Sequence, residues 1–460
     1  MKIRKIKYSN HPILGNLELN FINPDTHQPY ENIVFAGENG TGKTTILSTL
    51  CTFLNKHSFE PFESIEYEVQ GTLFEARKLG DGQNSKFGFH QRINLSDNSS
   101  QAITSSAHNS ESKIGEDIND IRHCGCVYTK ARADYQSKSI TSTTASELDT
   151  SSYGDDGSDD YTSLKQLIVD VDTMDSRENW KECKKSPGDG RMIDNLIQSS
   201  RIHRFQQAFD NFFDSINYVG VVSCEGKLDV IFEKYGRQIS IDDLSTGEKQ
   251  IVYRGIYLLR NVEKLDGASI MIDEPELSMH PKWQKRILKY FQDLFKAIDG
   301  SQKTQMFFAT HSEYVLAEAL NDKNNTLVIV LKDDNGVIRE QEVKTPMALP
   351  TITASEINYA AFEIPTIDYH IALYGAIQSK YGVHSINACD EKISLCIPYY
   401  DSAKHEQITP NPNKPTAPYK TVCTKVRNHI DHPDTAPSYT DEEMEESIKL
   451  MRNILLNVNS

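Results

Sequence analysis

A glycine-rich loop near the start of the chain has the residue types that bind a nucleoside triphosphate. Residues 37–44 read GENGTGKT, which fits the pattern G-x-x-x-x-G-K-[ST]. The glycines allow the loop to curl its N–H groups around a β-phosphate, Lys43 reaches the β- and γ-phosphate oxygens, and the Thr44 hydroxyl ligates Mg²⁺. The predicted nucleotide-binding residues are Gly37, Asn39, Gly40, Gly42, Lys43, Thr44 and Thr45.

Polar residues that could complete the chemistry follow two apolar runs further along the chain. The run 268–272 ends in the adjacent carboxylates Asp273 and Glu274, and the run 305–309 is followed by His311. Carboxylates at the end of a buried strand can hold Mg²⁺ and polarise an attacking water. We therefore predict Asp273 as a metal ligand and Glu274 as the general base. A histidine in the same sheet can contact a γ-phosphate across the loop.

The segment 244–250 reads LSTGEKQ and opens a predicted helix. The N–H groups and dipole of a helix N-terminus attract phosphate. The Ser245 hydroxyl and the bare backbone of Gly247 suit a close approach by a γ-phosphate. The segment lies about twenty residues before the paired carboxylates, and we predict that it belongs to the same nucleotide site.

The elements that must position these residues can be read from the pattern of apolar residues. A buried strand over 32–36 runs directly into the phosphate loop, and an apolar helix over 46–54 follows it, as the motif requires. Residues from about 80 to 215 are predicted as a polar and helical insertion, with mobile Ser- and Asp-rich loops at 94–112 and 137–163. A hairpin is predicted over 218–232, and a helix entered through Pro281.

A further metal contact is predicted in the polar insertion. Residues 124–128 read as a short strand, and a polar residue beyond its end could sense the metal. Gln136 is the candidate, and an ordinary loop glutamine is an equal alternative.

The amino-acid composition and net charge limit the classes of function that this chain can have. The chain has 460 residues, of which 38% are hydrophobic. It shows no long apolar run, no secretory leader and no regular pairing of cysteines. We therefore predict a cytoplasmic protein without a membrane segment. The formal net charge is -16, from 65 acidic and 49 basic residues. A chain this acidic is not expected to coat nucleic acid with its whole surface. Binding would need a local basic patch, for which 2–7, 181–185 and 282–289 are candidates, or a partner.

Taken together and in this order, the motifs resemble those of ABC-type ATPases over about residues 1–340. In that family the signature segment of one subunit closes over ATP held by the phosphate loop of another. The resemblance therefore implies ATP and Mg²⁺ as cofactors, Glu274 as general base, His311 as γ-phosphate sensor, and a homodimer or a higher oligomer of dimers. The signature residues that would act in trans are Ser245, Gly247 and Glu248.

The continuation DEPELSMHPKWQ after the predicted strand looks like the branch that contains OLD-family nucleases and the PtuA ATPases of Septu and retron-associated antiphage systems. Resemblance to the PtuA family implies a small HNH-type nuclease partner of the PtuB kind, and contact with nucleic acid through that complex. An SMC-like DNA repair ATPase is an alternative, although the middle of the chain has no sustained heptads.

The predicted fold class is α/β: an ABC-type P-loop ATPase domain over 1–345, then a mostly α-helical domain over 346–460 for partner binding or an effector role. In that second domain, 357–381 and 442–456 are predicted as helices. Arg427, Asn428 and His432 match the R-N-x-x-x-H pattern of HEPN ribonucleases, which makes a self-contained ribonuclease the main rival.

Geometry favours a structural role for that motif. A five-residue offset places two side chains about 140° apart on a helix. Pro433 also pushes His432 out of helical geometry. A helix end that packs or docks a partner is the competing interpretation.

Overall fold

The computed structural model describes residues 1–80, 85–105, 116–130, 161–185, 200–224, 227–259, 267–296, 300–411 and 418–456. The chain divides into two units, Met1–Gln341 and Glu342–Ser460. The roles that we predicted for the domains 1–345 and 346–460 stay predictions.

The first unit combines strands and helices along its whole length. Its strands are β1 (Lys2–Tyr8), β2 (Glu18–Asn20), β3 (Asn32–Ala36), β4 (Phe62–Val69), β5 (Thr72–Arg77), β6 (His90–Asn94), β7 (Ser100–Ile103), β8 (Cys126–Thr129), β9 (Ile216–Cys224), β10 (Lys227–Lys234), β11 (Arg237–Ser240), β12 (Ser269–Asp273), β13 (Gln305–Thr310), β14 (Thr326–Asp334) and β15 (Val337–Glu342). Its helices are α1 (Lys43–Leu54), α2 (Tyr161–Lys185), α3 (Arg201–Phe212), α4 (Thr246–Leu259), α5 (Pro281–Gln284), α6 (Ile287–Leu294) and α7 (Glu313–Ala319).

One sheet, in the order β15-β14-β3-β13-β12-β8, positions the candidate site. Strands β8, β12, β13, β3 and β14 pair in parallel. Strands β3, β12 and β13 are buried at every residue, as expected for apolar strands covered on both faces. The register pairs Asp273 with Ala309 and Thr310 with Ala36, so the carboxyl ends of these three strands meet at one edge.

A second sheet, in the order β2-β1-β4-β5-β6-β7, is antiparallel throughout its pairings. Buried residues of β1 and β4 join the parallel sheet and α1 in one hydrophobic core. The charged residues of β1 are paired with carboxylates: Lys5 lies 3.2 Å from Glu66, and Lys7 lies 3.6 Å from Glu63. The basic run 2–7 is therefore largely neutralised within its own sheet.

The edge of this sheet corrects one expectation. The loop predicted over 94–112 contains β7, which pairs with β6. Only Ile103 of β7 is buried, so this edge strand lacks the apolar alternation by which strands are identified. Arg92 fixes the pair through hydrogen bonds to Gln101 at 2.7 Å and to Asp117 at 2.8 Å.

The helical part of the insertion packs near the signature segment. The predicted hairpin is present as β9 and β10, with β11 added to form a third sheet. Lys165 of α2 is buried and forms ion pairs with Asp229 at 2.9 Å and with Asp242 at 2.8 Å. Because Asp242 lies just before the LSTGEKQ segment, the ion pair with Lys165 connects α2 to the start of that segment.

The single helix predicted from Pro281 is broken into α5 and α6. Arg286 at the break has φ -129°, and Glu318 of α7 accepts hydrogen bonds from the N–H groups of Leu288 and Lys289, both at 2.9 Å. A carboxylate at a helix N-terminus satisfies donors that have no partner inside the helix. Glu318 therefore lets α6 begin as a separate helix.

The Glu318 cap predicts a pH dependence of stability. Burial raises the pKa of Glu318 from 4.5 to about 7 although the two N–H groups oppose the shift. A carboxyl group whose folded-state pKa is raised favours folding less as pH rises from about 4.5 through 7, because ionisation costs more in the folded protein. We expect the Tm of the wild type to fall between pH 5 and pH 8 by about 2–4 °C more than that of Glu318→Gln.

Thermal unfolding at both pH values checks this expectation, and Glu60→Gln, a change at an exposed glutamate, is the matched control. The Glu60 variant should follow the wild type. An equal fall in Tm between pH 5 and pH 8 for the wild type and Glu318→Gln would contradict the raised pKa of Glu318.

The second unit is mostly helical, as predicted. It contains α8 (Ala354–Phe362), α9 (Ile367–Tyr381), α10 (Ile386–Ser394), α11 (Ser402–His405), β16 (Glu406–Thr409), β17 (Tyr419–Thr421), α12 (Val422–Asp431) and α13 (Asp441–Leu456). Its core includes Tyr369, Leu373, Ile448 and Met451 from α9 and α13. No helix among the described residues is both long and apolar enough to cross a membrane.

The helix predicted over 357–381 is wrong as a single element. Helix α8 ends at Phe362, and the next residue, Glu363, takes the left-handed conformation with φ 54°. The Thr366 side chain caps the start of α9 by accepting a hydrogen bond from the Tyr369 N–H. Pro365 lies between the two helices, and proline lacks the N–H that a continuous helix needs.

Candidate functional site

The phosphate loop and α1 hold Lys43 at the carboxyl end of β3. The Lys43 ammonium donates to the carbonyl groups of Gly37 and Glu38, both at 2.8 Å. Gly42 has φ 88°, and a Cβ there would lie 2.4 Å from Leu14, so the turn requires glycine. Burial lowers the pKa of Lys43 to about 8, although nearby carboxylates including Asp273 raise it. Lys43 therefore remains mainly charged at pH 7.

Thr44 and Asp273 meet as predicted for a metal site. The Thr44 hydroxyl lies 3.1 and 3.0 Å from the two carboxylate oxygens of Asp273, and Tyr128 donates to one of these oxygens at 3.3 Å. A hydroxyl and a carboxylate are oxygen ligands of the kind that Mg²⁺ prefers, so the residues present fit that ion. Burial raises the pKa of Asp273, with Glu274 adding to the shift. Gln136 lies outside the described residues.

Glu274 and His311 face each other across the ends of β12 and β13. The His311 Nε2 lies 3.7 Å from a Glu274 carboxylate oxygen, and the Glu274 N–H donates to the Ala309 carbonyl at 2.9 Å. Glu274 has φ 45°, a costly conformation for a residue other than glycine. Burial, with help from the Lys43 charge, lowers the pKa of His311. The imidazole is therefore neutral at pH 7.

Glu276 is a site residue that the sequence prediction missed. Its carboxylate accepts hydrogen bonds from the Thr310 hydroxyl at 2.7 Å and from the His311 N–H at 2.8 Å. The available signal was a third carboxylate within the four residues DEPE. Glu276 thus connects the end of β12 with the residues that follow β13.

Ser245 caps α4 and is exposed at the surface of its unit. Its N–H donates to Glu248 at 2.8 Å, and the Glu248 N–H lies 3.5 Å from the Ser245 hydroxyl. This reciprocal pair is a capping box. The other Glu248 oxygen accepts from Lys234 at 2.8 Å. Glu248 is buried and holds the helix start, and its predicted role in trans stays a prediction.

Gly247 likewise has an internal reason to be glycine. A Cβ at Gly247 would lie 2.7 Å from the Ser278 carbonyl oxygen and 3.2 Å from the Trp283 ring. The predicted approach of a γ-phosphate to the Gly247 backbone stays a prediction, and the close packing of the segment after β12 is a second reason for glycine at this position. Ser245 remains the exposed member of the predicted trio.

Arg254 joins α4 to both neighbouring strand ends. Its guanidinium donates to the Glu274 carbonyl at 3.1 Å and to the Lys130 carbonyl at 3.0 Å. No sequence motif marks this residue. The bonds fix the backbone that carries Glu274 relative to the signature helix.

The C-terminal R-N-x-x-x-H residues lie in the last part of α12 and directly after it. Arg427 pairs with Asp431 at 2.5 Å and donates to the Asn428 side chain at 3.3 Å. His432 is the residue after the helix, with φ -137°, as expected for a residue before Pro433. Asp431 neutralises the cation that a ribonuclease would direct at a phosphate. This arrangement fits the structural interpretation of the motif.

Comparison with known proteins gives partial matches to two retron ATPases and a Septu protein. The Retron Vc95 probable ATPase of Vibrio cholerae serotype O1 biovar El Tor is 31% identical over 137 residues, covering 28% of this chain and 25% of the relative. The Retron Ec83 probable ATPase of Escherichia coli is 31% identical over 128 residues, covering 26% and 22%. The Septu protein PtuA of Bacillus thuringiensis is 28% identical over 145 residues, covering 28% and 35%. The chain thus spans about a third or less of each relative.

Solved structures that match include head domains of SMC proteins. The SMC head domain from Thermotoga maritima has a TM-score of 0.38 at 15% identity, covering 75% of this chain and 99% of that one. The SmcHead bound to the C-winged helix domain of ScpA has a TM-score of 0.41 at 12% identity, covering 75% and 98%.

A family match extends over residues 71–317, more than half of the 460 residues, and includes the signature segment, both strand-end carboxylates and His311. The mixed α/β fold with a parallel sheet agrees with a P-loop ATPase domain followed by a helical region. The chain belongs to the family described as AAA domain, putative AbiEii toxin, Type IV TA system.

Proposed function

We propose that this chain binds and hydrolyses ATP with Mg²⁺, and that it acts as the sensor and scaffold subunit of an antiphage defence complex. One observation carries the ATPase part. The contact of Thr44 with both oxygens of Asp273 brings the phosphate loop to the end of β12, where Glu274 and His311 also lie.

The positions of these groups suggest how hydrolysis would proceed. Lys43 and the N–H groups of its loop would hold the β- and γ-phosphates, while Thr44 and Asp273 would hold the metal. When bound, Mg²⁺ would neutralise part of the phosphate charge. Glu274 accepts the proton of the attacking water, and the neutral His311 imidazole donates a hydrogen bond to a γ-phosphate oxygen.

The exposed Ser245 supports a composite site made by two chains. It caps a helix whose N-terminus favours an anion, and in a homodimer it would approach the γ-phosphate bound by the other chain. ATP binding at paired sites would then set the conformation of the dimer, or of a larger oligomer of dimers.

We infer the defence role from the partial similarity of this chain to retron ATPases and to the Septu protein PtuA. The helical second unit would recruit a small HNH-type nuclease, and nucleic acid would be contacted through the complex. The formal charge of -16 and the paired cations of β1 agree with a chain that does not bind nucleic acid over its own surface.

Co-purification tests the partner. The tagged chain should retain a small nuclease when it is expressed with its neighbouring genes, and a form truncated after residue 341 should not retain it. Retention by the truncated form would place the docking surface on the ATPase unit. If no nuclease co-purifies with either form, the scaffold role is wrong.

A nuclease assay on the purified chain separates the scaffold from the self-contained ribonuclease. We expect no cleavage of plasmid DNA or total RNA with Mg²⁺, with or without ATP, because Asp431 pairs with Arg427 and His432 lies outside the helix. RNA cleavage that His432→Ala abolishes, while His429→Ala leaves it intact, would instead identify this chain as the effector.

A further inference from the structure

The loop that carries His311 is held on both sides by side chains from the segment after β12. Glu276 accepts from the Thr310 hydroxyl at 2.7 Å and from the His311 N–H at 2.8 Å. Gln284 accepts from the Ser312 hydroxyl at 2.6 Å. The backbone on each side of the imidazole is therefore tied to the chain that leads away from Glu274.

The two holding side chains are themselves anchored. Glu276 is 9% exposed, and its second oxygen is buried with no hydrogen-bond partner among the described residues. Gln284 donates its amide group to the Met279 carbonyl at 2.9 Å. Burying a carboxylate is costly unless donors compensate it. The Glu276 carboxylate accepts from two donors of the loop 310–312, the Thr310 hydroxyl and the His311 N–H. The hydrogen bonds that offset the cost of burying this carboxylate are therefore the same bonds that position His311.

We propose that Glu276 and Gln284 are positioning residues, which fix the loop 310–312 and so set the His311 imidazole at the distance from Glu274 that γ-phosphate cleavage needs. This inference rests on the proposed ATPase function. The two residues act through His311 and do not touch ATP. Their loss should therefore reduce kcat while the phosphate loop keeps its affinity for ATP, because small misplacements of a reacting group are costly in rate.

A double-mutant cycle between Glu276 and His311 tests the proposal. Steady-state kcat and KM for ATP are measured for the wild type, Glu276→Ala, His311→Ala and the double variant. We expect Glu276→Ala to lower kcat about tenfold to a hundredfold and to change KM less than about threefold. In the His311→Ala background, Glu276→Ala should have almost no further effect. Glu60→Ala, at an exposed glutamate, is the control that should leave kcat unchanged.

Conservative variants keep the test informative if Glu276→Ala does not fold. Glu276→Gln retains an acceptor oxygen and should recover most of the kcat, whereas Thr310→Val removes one of the two donors and should lower kcat. Gln284→Ala should show the same coupling to His311 with a smaller effect, because it removes only one hydrogen bond to the loop 310–312.

The outcomes distinguish this inference from the proposed function. A wild-type chain that does not hydrolyse ATP overturns the proposed function and this inference with it. A wild type that hydrolyses ATP, with additive effects of the Glu276 and His311 changes, overturns the inference alone. A large rise in KM for the Glu276 variants would also overturn it, since it would place Glu276 in ATP binding.

Discussion

Lys43→Ala should abolish nucleotide binding, with the affinity for ATP falling at least about a hundredfold. The ammonium group that now donates to the Gly37 and Glu38 carbonyls would bind the β- and γ-phosphates, and charge-assisted hydrogen bonds of this kind contribute about 3 kcal/mol. Isothermal titration with ATP and Mg²⁺ measures the loss directly. Unchanged affinity would show that the loop does not hold the phosphates.

Two controls make this result interpretable. Lys86→Ala changes an exposed lysine and should bind ATP like the wild type. Because Lys43 is buried, its removal could also loosen the loop, so thermal unfolding without nucleotide must be compared. If Lys43→Ala keeps the wild-type Tm but does not bind ATP, the loss of affinity is due to the lost phosphate contacts and not to a loosened loop.

Glu274→Gln should retain ATP binding and lose hydrolysis by a factor of about 10²–10⁴, the usual contribution of a general base. The glutamine keeps the shape of the side chain but cannot accept the proton of the attacking water. Uncleaved ATP should then hold two chains together, so light scattering after size separation should show an ATP-dependent dimer.

The contrary result for this variant is equally clear. If ATP promotes no dimer of Glu274→Gln, the composite site with Ser245 acting in trans is wrong. The double variant Lys43→Ala/Glu274→Gln is the control, and it should stay monomeric with ATP because it cannot hold the nucleotide. Wild-type rates in Glu274→Gln would instead remove Glu274 from the chemistry.

The residues recognised from sequence were those whose function depends on local spacing. Lys43 and Thr44 lie in one contiguous motif, and Asp273 ends a run of apolar residues, so the contact that joins them could be predicted from parallel strand order. Glu276, Tyr128 and Arg254 were missed. Their partners are distant in the chain, and only Glu276, the third carboxylate of DEPE, had a local signal that distinguishes it from other polar residues.

The interior contacts of Gly247 and Glu248 could not be predicted either, because a sequence does not show which side of a helix start faces the interior. The break between α8 and α9 could have been predicted from Pro365, although apolar residues continue on either side of it. Strand β7 had too little apolar surface to be recognised.

The two hydrogen bonds of the Arg254 guanidinium restrict rotation of α4 about its own axis. A guanidinium is planar and binds two acceptors in a fixed geometry, so α4 cannot turn about its axis without straining the bonds to Glu274 and Lys130. Glu274 already has the unfavourable φ of 45°. A force applied to Ser245 by a second chain would therefore be transmitted through α4 and Arg254 to the backbone of Glu274. This coupling makes the connection between Ser245 and Glu274 rigid.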